Sequence, residues 1–151
     1  MLNPETDRSF NLREGERQTR VKETTLMLRK IKRQLVEKGL TTKRAQIHPG
    51  WDVHCFFPIR GEPNRIIHFQ LYMWPPPDGT VDVRITEKDR EKMLKARELG
   101  SIGAEENAIT KVMLPQKHIV YNEDAIAILA ETGILSAMGK SAPKPQPTQI
   151  G

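Results

Sequence analysis

The chain has 151 residues, a mass of 17.3 kDa and a mean hydropathy of −0.56, with 37% hydrophobic residues, enough for one modest core. No apolar run approaches the roughly 18 residues needed to cross a bilayer, and Met1-Leu2-Asn3-Pro4-Glu5 does not read as a signal peptide. A lone cysteine, Cys55, excludes an internal disulfide and any zinc site needing two thiolates; together these features predict a cytoplasmic protein.

The net charge of +5 is concentrated in one segment. Residues 1–15 sum to −1, residues 16–45 hold ten basic and three acidic side chains for +7, and residues 46–151 sum to −1. Such a block attracts phosphate backbones or acidic protein surfaces, and its pull weakens with salt. The expected organisation is a flexible segment over 1–15, a single α+β domain over 16–138 and a flexible tail over 139–151. Pro143, Pro145 and Pro147 in that tail cannot continue a helix or a central strand.

A first helix is expected from about Glu16 to Lys38, with Gly39 as its stop. Val21, Thr24, Leu28, Ile31 and Leu35 follow a 3-4 spacing and share one stripe, beside Met27. A helix this charged needs its stripe buried, either on the chain's own sheet or against a second copy, which would make a homodimer. Arg29, Lys30 and Arg33 lie off the stripe and are the candidates for phosphate or carboxylate contact.

An antiparallel four-strand meander should follow. Arg44 to Ile47 is a short first strand, ended by a His48-Pro49-Gly50 turn. Trp51 to Ile59 alternates, with Trp51, Val53, Cys55, Phe57 and Ile59 on one side; a loop over Arg60 to Asn64 then reverses the chain. Arg65 to Trp74 places Ile67, Phe69, Leu71 and Met73 together, and Val81, Val83 and Ile85 continue the pattern. Pairing Val53 with Leu71, Cys55 with Phe69, Phe57 with Ile67 and Leu71 with Val83 keeps the aliphatics on one face, since a one-residue slip would exchange the faces. Ala45 and Ile47 are expected opposite Val53 and Trp51.

Thr86-Glu87-Lys88-Asp89 reads as a cap for a helix ending at Gly100. A turn or helix is expected over Ala104 to Met113, stopping before Pro115, with a short strand from His118 to Tyr121. Asn122 caps a last helix running to Gly133, after which Ile134 and Leu135 fold back.

The reverse face of this sheet would carry Arg44, Gln46, Asp52, His54, Phe56, His68, Gln70, Tyr72, Trp74, Asp82 and Arg84. Rings that stack on bases beside an arginine suit single-stranded nucleic acid, and the same set suits a protein interface or a second small core. The helix-first, strand-rich order resembles in topology the double-stranded RNA-binding layout, although Thr86 to Lys92 is mixed in charge where that layout is basic. A helix-turn-helix would need a second helix before Pro49-Gly50, where the chain leaves little room.

Enzymatic patterns are sparse. The four histidines show no H-x-H or H-E-x-x-H spacing, and adjacent His54 and Cys55 point to opposite faces of a strand. Cys55 belongs in the core as an inert thiol. The order of elements also resembles the restriction-endonuclease-like nucleases, which would cast Asp52 as a metal-binding carboxylate. The strands that should supply Glu-x-Lys read Gln70-Leu71-Tyr72 and Asp82-Val83-Arg84 instead. No phosphate loop and no cofactor site are expected. The sequence therefore points to a non-enzymatic adaptor or accessory protein for an acidic protein or nucleoprotein surface. Single-stranded DNA or RNA binding is the second reading and a divalent-metal nuclease the third.

Overall fold

A computed structural model describes residues 4–75, 78–100 and 104–139; the Pro-rich tail from residue 140 and prolines 76 and 77 lie outside the described residues. The chain is an α+β fold in the order α1 (Pro4–Glu37), β1 (Gln46–His48), β2 (Asp52–Ile59), β3 (Glu62–Met73), β4 (Thr80–Asp89), α2 (Arg90–Glu98), a 3-10 turn (Ala104–Ala108), β5 (Ile109–Val120) and α3 (Glu123–Ala137). All five strands form one antiparallel sheet in the order β1-β2-β3-β4-β5.

The central register is the one the alternation demands. Val53 faces Leu71, Cys55 faces Phe69, Phe57 faces Ile67 and Leu71 faces Val83. Those side chains are all buried in one cluster with Val21, Leu28, Ile31 and Leu35 of α1 and with Ile126, Ala130 and Ile134 of α3. The inner face of the sheet is thus covered by two helices. The stripe of α1 packs on its own sheet, so Leu28, Ile31 and Leu35 are not available as the lining of an interface between two copies.

Helix α1 begins at Pro4, earlier than the expected Glu16. It ends as expected at Gly39, whose φ of 73° allows the Leu40 N–H to return to the Leu35 carbonyl at 2.9 Å. The Arg17 guanidinium is nearly inaccessible at 2% and rivets this helix to the sheet end. It donates to the Met73 carbonyl at 2.8 Å, to the Trp51 carbonyl and to Glu14 at 3.1 Å. It also lies 4.7 Å from the centre of the Trp51 ring and 4.9 Å from that of Tyr72. Trp51 therefore sits outside the core at 66% exposure, one residue before β2, and not on the inner face with Val53.

Four further expectations are corrected. In β1, Ile47 faces Cys55 and not Trp51, because the strand starts at Gln46. Strand β3 starts at Glu62, because Arg60 and Gly61, the latter at φ 87°, turn the chain in two residues. Thr86 to Asp89 extend β4, where Thr86 pairs with His68 and Lys88 with Ile66. Asp89 is the cap of α2, accepting from the Lys92 N–H at 2.9 Å.

The fourth correction is the fifth strand. Residues 109–113, expected as turn or helix, join Pro115 and the expected strand residues 118–120 in one strand, β5 (Ile109–Val120). Between Ile85↔Leu114 and Val83↔Lys117 the edge strand carries one residue more than β4, and Pro115 falls within that bulge. A proline lacking an N–H costs no ladder bond at such a place, and with Lys111 and Lys117 it guards the edge against further pairing. Asn122 caps α3 as expected, but the helix runs through Gly133 to Ala137. At Gly133 the helix lies close on the sheet: a Cβ there would make ordinary van der Waals contact with Ile85 Cγ2 at 3.4 Å.

Because Leu28 is fully buried within the chain, Leu28→Ala should cost about 2–5 kcal/mol of folding stability. Urea denaturation over a range of protein concentrations should give a midpoint that does not move with concentration. A concentration-dependent midpoint would assign the stripe to contacts between copies.

Candidate functional site

The outer sheet face divides into a covered half and an open half. On the covered half, Phe56 and Ile66 are buried with Met93 of α2 and Ala108 of the 3-10 turn, forming a second small core. His68 is buried with them at 4% exposure, and Lys88, at 2%, lies beside it. The rings form a stacked ladder, with Phe56 and His68 centroids 4.5 Å apart and His68 and His54 5.1 Å apart. Phe56 and His68 are therefore not on the open part of the face, and only His54 of this group is half-buried.

A hydrogen-bonded line crosses three strands here. Lys88 Nζ lies 2.7 Å from His68 Nδ1, and His68 Nε2 lies 2.8 Å from His54 Nδ1. An ammonium only donates, so with Lys88 charged His68 Nδ1 is the acceptor and the His68 proton resides on Nε2. That N–H donates to His54 Nδ1, which leaves the His54 proton on Nε2, 3.9 Å from Asp52 Oδ2. Asp52 in turn accepts from Gln70 Nε2 at 2.7 Å. The polarity runs from Lys88 to Asp52, and it requires both imidazoles to be neutral. Burial holds His68 down to about 3, helped by the neighbouring Lys88, and burial also lowers His54. Burial likewise lowers Lys88.

The open half is a shallow hollow of about 360 Å³ lined by Asp52, Gln70, Tyr72, Asp82, Arg84 and Gln116. Its charged groups already have hydrogen-bond partners within the protein. Arg84 makes a two-pronged contact with Glu106 at 2.8 and 2.9 Å, and that contact lowers the Glu106 carboxyl. Asp82 accepts from His118 Nδ1 at 2.6 Å and from Trp74 Nε1 at 3.1 Å. Tyr72 is half-buried and meets Trp74 edge-on at 5.0 Å between ring centres, with Trp74 exposed at the rim. Two carboxylates and a neutralised arginine make this aromatic patch a poor attractant for phosphate.

The basic candidates lie elsewhere. Arg29, Lys30 and Arg33 are exposed on α1, which covers the inner face, so the sheet separates them from Tyr72 and Trp74. Leu26 stands among them at 49% exposure. Among the described residues Arg29, Lys30 and Arg33 take part in no ion pair. No group of three or more His, Cys, Asp or Glu side chains that could hold a metal ion occurs among the described residues. Asp52 has Gln70 and His54 as neighbours, not the carboxylate and lysine that the nuclease resemblance implies. Cys55 is fully buried and its thiol is pushed far up by desolvation.

Sequence reasoning missed Lys88, Arg17 and Glu106. The capping pattern of Thr86 to Asp89 hides Lys88, yet continuing the alternation of Val81, Val83 and Ile85 places Thr86 and Lys88 on the outer face. Arg17 and Glu106 carried no such signal, because each acquires its role from elements distant in the chain.

A buried neutral histidine makes stability depend on pH. The unfolded chain takes up a proton near the ordinary value of 6.5, while folded His68 resists it down to about 3, so the unfolded state binds more protons between these limits. Stability is fully present above about 6.5 and falls as pH drops toward 3. Thermal melts of the wild type should show this decline, and His68→Gln, which keeps a donor and an acceptor, should flatten it. An equally steep decline in the variant would place its origin in other groups.

No family model, curated protein or solved structure matches the chain.

Proposed function

We propose that the protein acts by binding rather than catalysis, as an adaptor or accessory protein whose helix α1 meets an acidic protein or nucleoprotein surface. The observation that carries this reading is the unpaired cation cluster on its outward face. Arg29 and Arg33 are four residues apart and Lys30 and Arg33 three apart, so like charges are neighbours on adjacent turns. Such pairs cost a helix roughly 0.2–0.5 kcal/mol each. An anionic partner removes that repulsion, and exposed Leu26 adds apolar contact one turn N-terminal to Arg29 and Lys30. The aromatic hollow supports the nucleic-acid reading less, because Asp52 and Asp82 stand where phosphates would approach and Arg84 is held by Glu106.

The test is binding of two defined polyanions, poly-L-glutamate and oligo-dT, across a salt series. Both should bind more weakly as salt rises. Changing Arg29, Lys30 and Arg33 together to Gln should weaken binding and flatten the salt dependence; for oligo-dT the slope should fall by up to about two units. Tyr72→Ala with Trp74→Ala should leave oligo-dT affinity unchanged. A marked loss in that double variant would favour stacking of bases. An unchanged salt slope in the α1 variant would reject the helix as the contact.

A further inference from the structure

A second surface, on the other layer of the molecule, has a composition that selects a partner. Between the β1–β2 side of the sheet and α2 lies a groove of about 460 Å³. Phe56, Pro58, Ile66 and Met93 give it an apolar floor, and Leu94, 38% exposed, forms its lip. Its charged lining consists of Arg44, Arg90 and Arg97, with no acidic side chain.

Two of the three arginines are free to act on a ligand. Among the described residues the Arg44 and Arg90 side chains have no ion pair, and Arg97 has only an exposed contact with Glu105 at 3.2 Å. Arg97 also sits over the Phe56 ring at 5.4 Å, which holds its guanidinium at the groove wall. Arg90 is the first residue of α2, where the helix dipole disfavours a cation. The neighbouring Asp89 carboxylate makes no ion pair with Arg90; it accepts from the Lys92 N–H and from Asn64 Nδ2.

The spacing of these charges points to an extended ligand. Arg90 and Arg97 are seven residues apart on one helix, roughly 10.5 Å along its axis at 1.5 Å per residue. Two carboxylates on the same face of an extended peptide, two or four residues apart, lie about 7 or 13 Å from each other, which brackets this separation. The chain's own tail is a poor occupant, because residues 140–151 hold Lys140 and Lys144 and no acid.

We propose that this groove docks a linear peptide segment in which one or two large apolar side chains are flanked by aspartate or glutamate. The apolar side chains fill the floor over Phe56, Ile66 and Met93, and the carboxylates meet Arg44, Arg90 and Arg97. The inference rests on the reading of the protein as a binder of acidic protein surfaces, but it uses none of the residues of α1.

The experiment is fluorescence anisotropy on the full chain with a panel of labelled ten-residue peptides holding Leu, Phe or Trp between Asp/Glu pairs. Controls carry Ser for the apolar residues or Lys for the acids. The acidic-apolar peptides should bind, and both controls should bind at least about tenfold more weakly. Arg44→Glu with Arg90→Glu, and separately Leu94→Glu, change exposed side chains; with the far-UV circular dichroism unchanged, each should weaken binding about tenfold or more. The Gln variant at Arg29, Lys30 and Arg33 should bind these peptides as the wild type does.

Lack of binding across the panel, or affinity unmoved by the groove variants, overturns the proposal. So does equal binding of the Ser control, which would make the contact purely ionic. Sedimentation of the same proteins reads the remaining alternative: self-association abolished by Leu94→Glu would make a second copy the occupant. Peptide binding lost only in the α1 variant would refute the groove and leave the helix reading standing. Peptide binding kept while polyglutamate binding fails would do the reverse.

Discussion

The period-two alternation of β2, β3 and β4 is the constraint on which the rest of the molecule depends. Once Val53, Cys55 and Phe57 are committed to Leu71, Phe69 and Ile67, the register of every neighbouring residue follows, because a slip of one position would turn the aliphatic set to the opposite face. The inner face then needs a cover, which α1 and α3 supply. The outer face inherits whatever stands between the aliphatics. Here it inherits histidines, amides, carboxylates, one lysine and a few rings.

Those inherited groups explain the shape of the outer side. Phe56 and Ile66 are too apolar to leave in water, and α2 with the following turn buries them. Covering them also removes His68 and Lys88 from solvent, and a polar group so placed must find partners. The line from Lys88 through His68 and His54 toward Asp52 meets that requirement with one donor and one acceptor at each imidazole. Its polarity is fixed at one end by an ammonium that cannot accept. The cover stops short of Tyr72 and Asp82, and there the groups pair with one another on an open surface instead.

The legible and illegible parts of the chain differ in the range of the interaction that decides them. Strand alternation, the Gly39 stop and the Asn122 cap depend on residues within a few positions, and the sequence exposes them. Strand β5 does not announce itself, because Pro115 reads as a breaker until the neighbouring strand and its bulge are known. Thr86 to Asp89 satisfy a capping pattern and a strand pattern equally, and only pairing with His68 and Ile66 decides between them. The candidate surfaces follow the same division. The exposure of Arg29, Lys30 and Arg33 is readable from one helical period. The burial of Phe56 and His68 is not, since it depends on where a helix more than twenty residues away comes to rest.

The distribution of charge gives these layers different capacities. On the open sheet face each strong charge has an internal partner: Arg84 has Glu106, Asp82 has His118, and Asp52 has Gln70. A ligand arriving there must break an existing contact for each one it makes, so the net gain is small. Arg29, Lys30 and Arg33 on α1, and Arg44 and Arg90 along the groove, face water without such partners among the described residues, and an incoming carboxylate makes its contact with them without displacing another. Repulsion between Arg29 and Arg33, and the placing of Arg90 at the positive end of a helix dipole, raise the free energy of the unbound protein slightly. An anion that relieves both kinds of repulsion gains in affinity by the same amount, which makes unpaired cations, rather than the aromatic hollow, the better guide to where this fold meets a partner.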